Sequence, residues 1–112
     1  MLQELLSRVR KYMPDADTDL ITRAYYFCKE CHEGQYRNSG EKYYVHPVNV
    51  ALILTDLNMD DITITAALLH DVLEDTDVTY DTLVSEFGEE VANLVDGVTK
   101  LKKLKYKSKQ EN

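Results

Sequence analysis

The feature that most constrains this chain is the stretch Ile62–Leu69, which is apolar on every side except for two Thr and runs straight into His70-Asp71-Val72-Leu73-Glu74-Asp75. A helix that is apolar around its circumference must be enclosed by other elements, so this stretch predicts a central helix buried in a helical core. At about 100° per residue, Glu74 falls roughly 40° from His70, Asp71 about 100° and Asp75 about 140°, while Leu69, Val72 and Leu73 take the opposite side. A continuous helix therefore gathers four ionisable groups into one sector. Such a group at the end of a buried helix costs free energy unless a cation or solvent compensates it, and carboxylates near a helix C-terminus also oppose the macrodipole. The bland reading is an acidic helix end facing water; the cost argument favours a functional site.

Helical spacing recurs along the chain. Leu2, Leu5, Leu6 and Val9 mark a first helix that ends before Pro14, and Asp17 or Thr18 caps a second with Leu20, Ile21, Ala24, Tyr25, Phe27 and Cys28 inward. Residues 34–44, with Gly34 and Gly40 and no periodicity, read as a loop. Pro47 opens a third helix, with Val50, Ala51, Leu54 and Leu57 inward, and Asn58–Asp60 form a short turn. Thr79 caps a fifth helix that Gly88 ends; Glu89–Val98 make a sixth, and a seventh starts at Lys100. With four Gly and two Pro in 112 residues, a turn-rich sandwich or barrel is disfavoured. The expectation is one all-α domain, a multi-helix bundle without a sheet.

Charge and cysteine usage narrow the functional classes. Residues 1–99 carry 7 Lys/Arg against 19 Asp/Glu, a net of −12, whereas residues 100–112 carry 6 Lys and one Glu, a net of +5. An acidic body repels nucleic acid and anionic lipid, so a polyanion can be held only where a cation or a local basic cluster reverses the field. The basic end, LKKLKYKSK, reads as the solvated face of a helix rather than as an arm for RNA or membrane. No apolar run is long enough to span a bilayer and residues 1–12 lack a signal-peptide pattern, so a cytoplasmic protein is expected. CKECH at residues 28–32 matches haem, zinc and redox patterns, but it lies in an apolar-periodic helix with Cys28 inward and no second Cys pair; reduced buried thiols are the reading. Tyr25 and Tyr26 read as packing residues, and Tyr36, Tyr43 and Tyr44 border the loop and can wall a pocket.

His46 stands immediately before Pro47. Because the third and fourth helices are joined by a short turn, they should pack antiparallel, bringing the start of one beside the end of the other and His46 to His70 and Asp71. Two imidazoles and a carboxylate make a divalent-metal set suited to Mn, Fe, Zn or Co.

The order of motifs, GQYRNSGEKYYVHPVNVALIL, then TAALLHDVLEDTDVT, then FGEEVANLVDGVTKL, resembles the N-terminal hydrolase domain of the RelA/SpoT bifunctional (p)ppGpp synthetase/hydrolases, within the HD-domain metal phosphohydrolases. The resemblance covers roughly residues 20–107. It implies an all-helical fold and a Mn²⁺ ion held by His46, His70 and Asp71, with Glu74 and Asp75 in water activation and proton transfer. It also implies that Arg37, Asn38 and Ser39 meet the guanine nucleotide, although the family usually has Lys where Asn38 stands. The family's last Asp ligand lies in an ADRLHN-like segment downstream of DGVTKL. Residues 1–112 are therefore expected to be a single hydrolase-type HD domain cut before that ligand, and Asp96 in LVDGVTK belongs to a different motif. The implied reaction removes the 3′-pyrophosphate of (p)ppGpp to give GDP or GTP and pyrophosphate. This chain alone is expected to be weakly active or inactive and to self-associate through apolar surface near its last helices. Alternatives are another HD nucleotide phosphohydrolase, a two-His, one-carboxylate iron oxygenase, which nothing strand-like supports, and a non-catalytic regulatory or structural module.

Overall fold

The computed structural model describes residues 1–111, with side chains through Lys105. Its elements follow the apolar spacing: α1 (Leu2–Tyr12), α2 (Thr18–Cys31), α3 (Val45–Thr55), α4 (Asp61–Leu69), α5 (Val72–Asp75), α6 (Tyr80–Phe87) and α7 (Glu89–Glu111). Among the described residues there is no strand, only a single antiparallel bridge between Tyr36 and Lys42. The fold is all-α.

Helix α4 is the hub, packed against α2, α3 and α7, and Ile64 through Leu69 are buried without exception. Thr65 is tolerated there because its hydroxyl donates to the Asp61 carbonyl at 2.7 Å, leaving no orphaned polar atom. The helix starts on Asp60, whose carboxylate accepts the Thr63 N–H at 2.9 Å, and the neighbouring Asp61 carboxylate accepts the Asp17 N–H at 2.7 Å. Asp17 in turn caps α2 by accepting from the Leu20 N–H. These contacts fasten the starts of α2 and α4 together. The reversal between α3 and α4 passes through Asn58 at φ 56°, a left-handed conformation that Asn adopts at low cost. Thr79 caps α6 and Gly88, at φ 91°, ends it.

Four expectations need correction. The buried central helix does not run on through Asp75: α4 stops at Leu69, His70 and Asp71 form a bend, and α5 begins at Val72. Both bend residues keep right-handed backbone angles near those of a helix, so the side-chain sequence carries no breaker to announce it. Asp71 consequently precedes a single-turn helix whose last two residues are Glu74 and Asp75, and the three carboxylates no longer stand at the C-terminus of a long helix with a large macrodipole. Helix α3 starts at Val45, so Pro47 occupies its first turn, where a missing N–H is also harmless. Its buried face is Pro47, Val48, Ala51 and Thr55; Val50 and Leu54 are half-buried, and Leu57, beyond the helix end, is exposed. The sixth and seventh helices are one: Gly97 costs too little to interrupt α7, and the Thr99 hydroxyl donates back to the Val95 carbonyl at 3.2 Å. Finally, Tyr25 is buried but Tyr26 is half exposed, lying edge-on against it, and Phe27 is only partly buried, edge-on to Phe87.

Candidate metal centre

The bend after Leu69 creates the site. The backbone N–H of His70 and its ring Nδ1 both point to the Ala67 carbonyl, at 3.4 and 2.6 Å. A carbonyl can only accept, so Nδ1 carries a proton, and Nε2 donates to Asp71 when the ring is charged and offers a lone pair to a cation when it is neutral. That nitrogen lies 3.2 Å from Asp71 Oδ2. From the first turn of α3, His46 brings its own Nε2 to 3.9 Å from the same oxygen. The antiparallel α3–α4 pair thus delivers the expected convergence: one donor atom from each of His46, His70 and Asp71 lies within 4.8 Å of the others. His70 and Asp71 are buried, at 9% and 3% exposure, while His46 is partly open to solvent.

The electrostatics of the three differ. Burial alone would push the Asp71 carboxyl up, but hydrogen bonds from His70, Lys102 and Tyr43 outweigh it and hold it well below the usual carboxylate range. Burial likewise opposes charge on His70, yet its contacts with Asp71 and the Ala67 carbonyl raise it. His46 is lowered, chiefly by burial, and so favours the neutral imidazole that ligates metals. A lone pair on His70 Nε2 facing a carboxylate oxygen needs a proton or a cation between them. Two imidazoles and one anionic oxygen suit a divalent cation, so the donor set passes that chemical test.

Two further side chains complete the centre. The Tyr43 hydroxyl donates to Asp71 Oδ2 at 2.9 Å, and Lys102 from α7 donates to Asp71 Oδ1 at 2.8 Å. Tyr43 was legible as a pocket wall but not as a carboxylate partner. Lys102 was hidden in a basic run; the available signal was its phase, because Val95, Thr99 and Lys102 recur at four and three residues on the core-facing side of α7. Glu74 and Asp75 lie on α5 and are exposed, with Glu74 Oε2 3.8 Å from the Lys102 amine. Asp75 is steered through its backbone: Gln35 donates to its carbonyl at 3.1 Å while accepting from His32 Nδ1 at 3.0 Å. His32 is thereby engaged in structure, its ring 4.9 Å from that of Tyr43, and burial pushes the nearby Cys28 thiol up to about 12.

The loop folds back on itself. The Arg37 N–H bonds the Glu41 carbonyl, the Gly40 N–H bonds the Arg37 carbonyl, and Gly40 takes φ 87°, a left-handed angle that the tight turn requires. Arg37, Asn38 and Ser39 stand exposed at its tip and, with Tyr36 and Tyr43, line a cleft of about 490 Å³. On the α7 side, Leu73, Glu74, Thr99, Lys102 and Lys103 line a second cleft of about 730 Å³. Tyr43 connects the first cleft to the His-Asp centre, its ring lining one and its hydroxyl bonding the other.

A helical core whose central helix ends in a His-Asp pair, faced by a histidine from the neighbouring helix, defines a metal-binding class of helical domain. The chain belongs to that class: the HD domain family matches residues 24–112. It is 54% identical over 109 residues to the guanosine-3′,5′-bis(diphosphate) 3′-pyrophosphohydrolase of Aquifex aeolicus, 97% of this chain and 16% of that protein. It is 45% identical over 111 residues to the bifunctional (p)ppGpp synthase/hydrolase SpoT of Escherichia coli K12, 99% of this chain and 16% of that protein. To the GTP pyrophosphokinase rsh of Brucella melitensis it is 47% identical over 107 residues, 96% of this chain and 14% of that protein. The chain therefore spans about one sixth of the length of these curated relatives. Among solved structures it resembles a metazoan ortholog of SpoT that hydrolyzes ppGpp, with TM-score 0.67 and 32% identity over 70% of this chain and 47% of that one. Among the described residues, no helix is long and apolar enough to cross a membrane.

Proposed function

We propose that residues 1–112 form a single hydrolase-type HD domain, which removes the 3′-pyrophosphate of (p)ppGpp to give GDP or GTP and pyrophosphate. On this reading it belongs to a longer cytoplasmic synthetase/hydrolase. The observation that carries the proposal is the meeting of His46, His70 and Asp71 beside the cleft walled by Arg37, Asn38 and Ser39, with Tyr43 common to both. The names of the relatives supply the substrate class: a guanine nucleotide bearing a 3′-pyrophosphate.

Mn²⁺ is the proposed ion, held by His46, His70 and Asp71, with a further carboxylate expected from outside these residues. Bound there, a divalent cation would polarise water and screen the phosphate charge. Tyr43 and His70 keep Asp71 Oδ2 turned toward the imidazoles. Glu74, exposed at the mouth of the centre, takes or returns a proton as general base or acid, and Asp75, fixed through its carbonyl by Gln35, orients the water. Arg37 gives the loop a fixed positive charge against the acidic body, and Tyr36 offers its exposed ring to a purine. Nucleic acid and membrane are not proposed as partners. Self-association is, through Leu94, Val98, Leu101 and Leu104, which stand exposed on α7.

The test, made on the longer synthetase/hydrolase that carries this domain, is calorimetric titration with Mn²⁺ together with release of pyrophosphate from ppGpp. His70→Ala and Asp71→Ala should each abolish Mn²⁺ binding and any turnover while leaving helicity nearly intact. Pyrophosphate release at the unmutated rate by the metal-free double variant would end the proposal.

A further inference from the structure

Lys102 has no task in the chemistry above, although its amine reaches the middle of the site. It donates to Asp71 Oδ1 at 2.8 Å and stands 3.8 Å from Glu74 Oε2. The carboxylate is thus shared: Oδ2 faces Tyr43 and the two imidazoles, and Oδ1 takes the lysine. Asp71 is 3% exposed, whereas 44% of the Lys102 side chain is open to solvent, so a buried anion is matched by a cation that can leave without unfolding anything.

We propose that Lys102 is a built-in counter-ion that a divalent cation displaces, so that loading the centre exchanges lysine for metal at Asp71 and releases α7 from the bend between α4 and α5. The inference rests on the metal reading of His46, His70 and Asp71. Two effects of Lys102 on metal binding oppose each other. By gripping Oδ1 it steadies the carboxylate, which would favour the metal; as a fixed positive charge on the same buried carboxylate it repels one at close range. Orientation is already provided by the Tyr43 hydroxyl on Oδ2. Repulsion therefore dominates, and the long, partly hydrated lysine yields at small cost. Its neighbour Lys103 lines the same cleft without an ion pair to Asp71 and carries the same charge. It is the natural control.

Mn²⁺ alone is the probe, titrated calorimetrically into the 112-residue chain, Lys102→Met and Lys103→Met. Replacing the charge-assisted hydrogen bond should tighten Mn²⁺ binding by about tenfold in Lys102→Met, against about twofold or less in Lys103→Met. Independently, labelling of lysine amines by an acetylating ester, read by mass spectrometry, should rise several-fold at Lys102 when Mn²⁺ saturates the unmutated chain and stay constant at Lys103. Equal or weaker Mn²⁺ binding by Lys102→Met, or unchanged labelling at Lys102, overturns the exchange while the metal reading stands. No Mn²⁺ binding by any of the three overturns both.

Discussion

Tyr43→Phe deletes one oxygen and leaves a ring of nearly the same shape, so it isolates a single hydrogen bond. That bond runs 2.9 Å from the hydroxyl to Oδ2 of a carboxylate that is 3% exposed. A hydrogen bond to a charged group contributes about 1.5–3 kcal/mol net, and because His70 and Lys102 continue to serve Asp71 the lower end applies, about 1.5 kcal/mol. For a domain slightly over 100 residues this corresponds to a fall in Tm of roughly 6 °C. Mn²⁺ affinity should fall by about tenfold as the carboxylate loses the partner that orients it. The ring contact with His32 survives, so packing loss does not obscure the result. Thermal unfolding by circular dichroism at pH 7 with a chelator present gives the first quantity, and calorimetry gives the second. Tyr36→Phe, on an exposed wall of the same cleft, is the control. A Tm within about 1 °C of the unmutated chain, with unchanged Mn²⁺ affinity, would refute the role assigned to the hydroxyl.

Other expectations follow from the same geometry. In the longer enzyme that carries this domain, Arg37→Ala should raise KM for ppGpp with little change in kcat, because the loop holds substrate and the bend holds the ion; an unchanged KM with a collapsed kcat in steady-state assays would move Arg37 into the chemical step. Leu68→Ala, in the fully buried centre of α4, should cost about 3 kcal/mol in urea unfolding; a loss under about 1 kcal/mol would mean that α4 is not the hub. The depressed Asp71 carboxyl gives stability that is present above its ordinary value near 4 and is lost as pH falls below it, whereas raised His70 gives stability present below about pH 6.5 and lost above. Lowered His46 opposes His70, its contribution being lost as pH falls below about 6.5, so the carboxyl is read from the limb below about pH 4: Asp71→Asn should flatten that limb in unfolding curves of the chelated protein, and an acid limb of unchanged steepness would contradict the assignment.

Much of this arrangement is legible in the residues because its causes are local. The apolar circumference of Ile62–Leu69 requires enclosure, a five-residue connection through Asn58 compels α3 and α4 to run antiparallel, and those two facts carry His46 to His70 without tertiary information. Thr79 and Gly88 bound α6 for equally local reasons. The bend at His70 is different: it preserves right-handed backbone angles, uses neither Gly nor Pro, and is accompanied by packing of α5 on α7, a contact that no short window contains. Lys102 escapes notice for a similar reason. In a run of six lysines only its angular position on α7 sets it apart, and that phase is visible only once Gly97 is known not to end the helix.

The bend also bears on how such a chain can change over generations. Two of the three donor side chains come from adjacent residues at a turn held by the Ala67 carbonyl on one side and by the Asp75 N–H on the Asp71 carbonyl, at 2.9 Å, on the other. Extra residues in the surface loop at 37–40 alter a cleft wall and leave the centre standing. One inserted between Leu69 and Asp71 would turn His70 or the His-Asp pair away from its partners. Length in the loop at 37–40 should therefore be free to drift among chains carrying this domain, while the step from Leu69 to Asp71 should resist insertion and deletion.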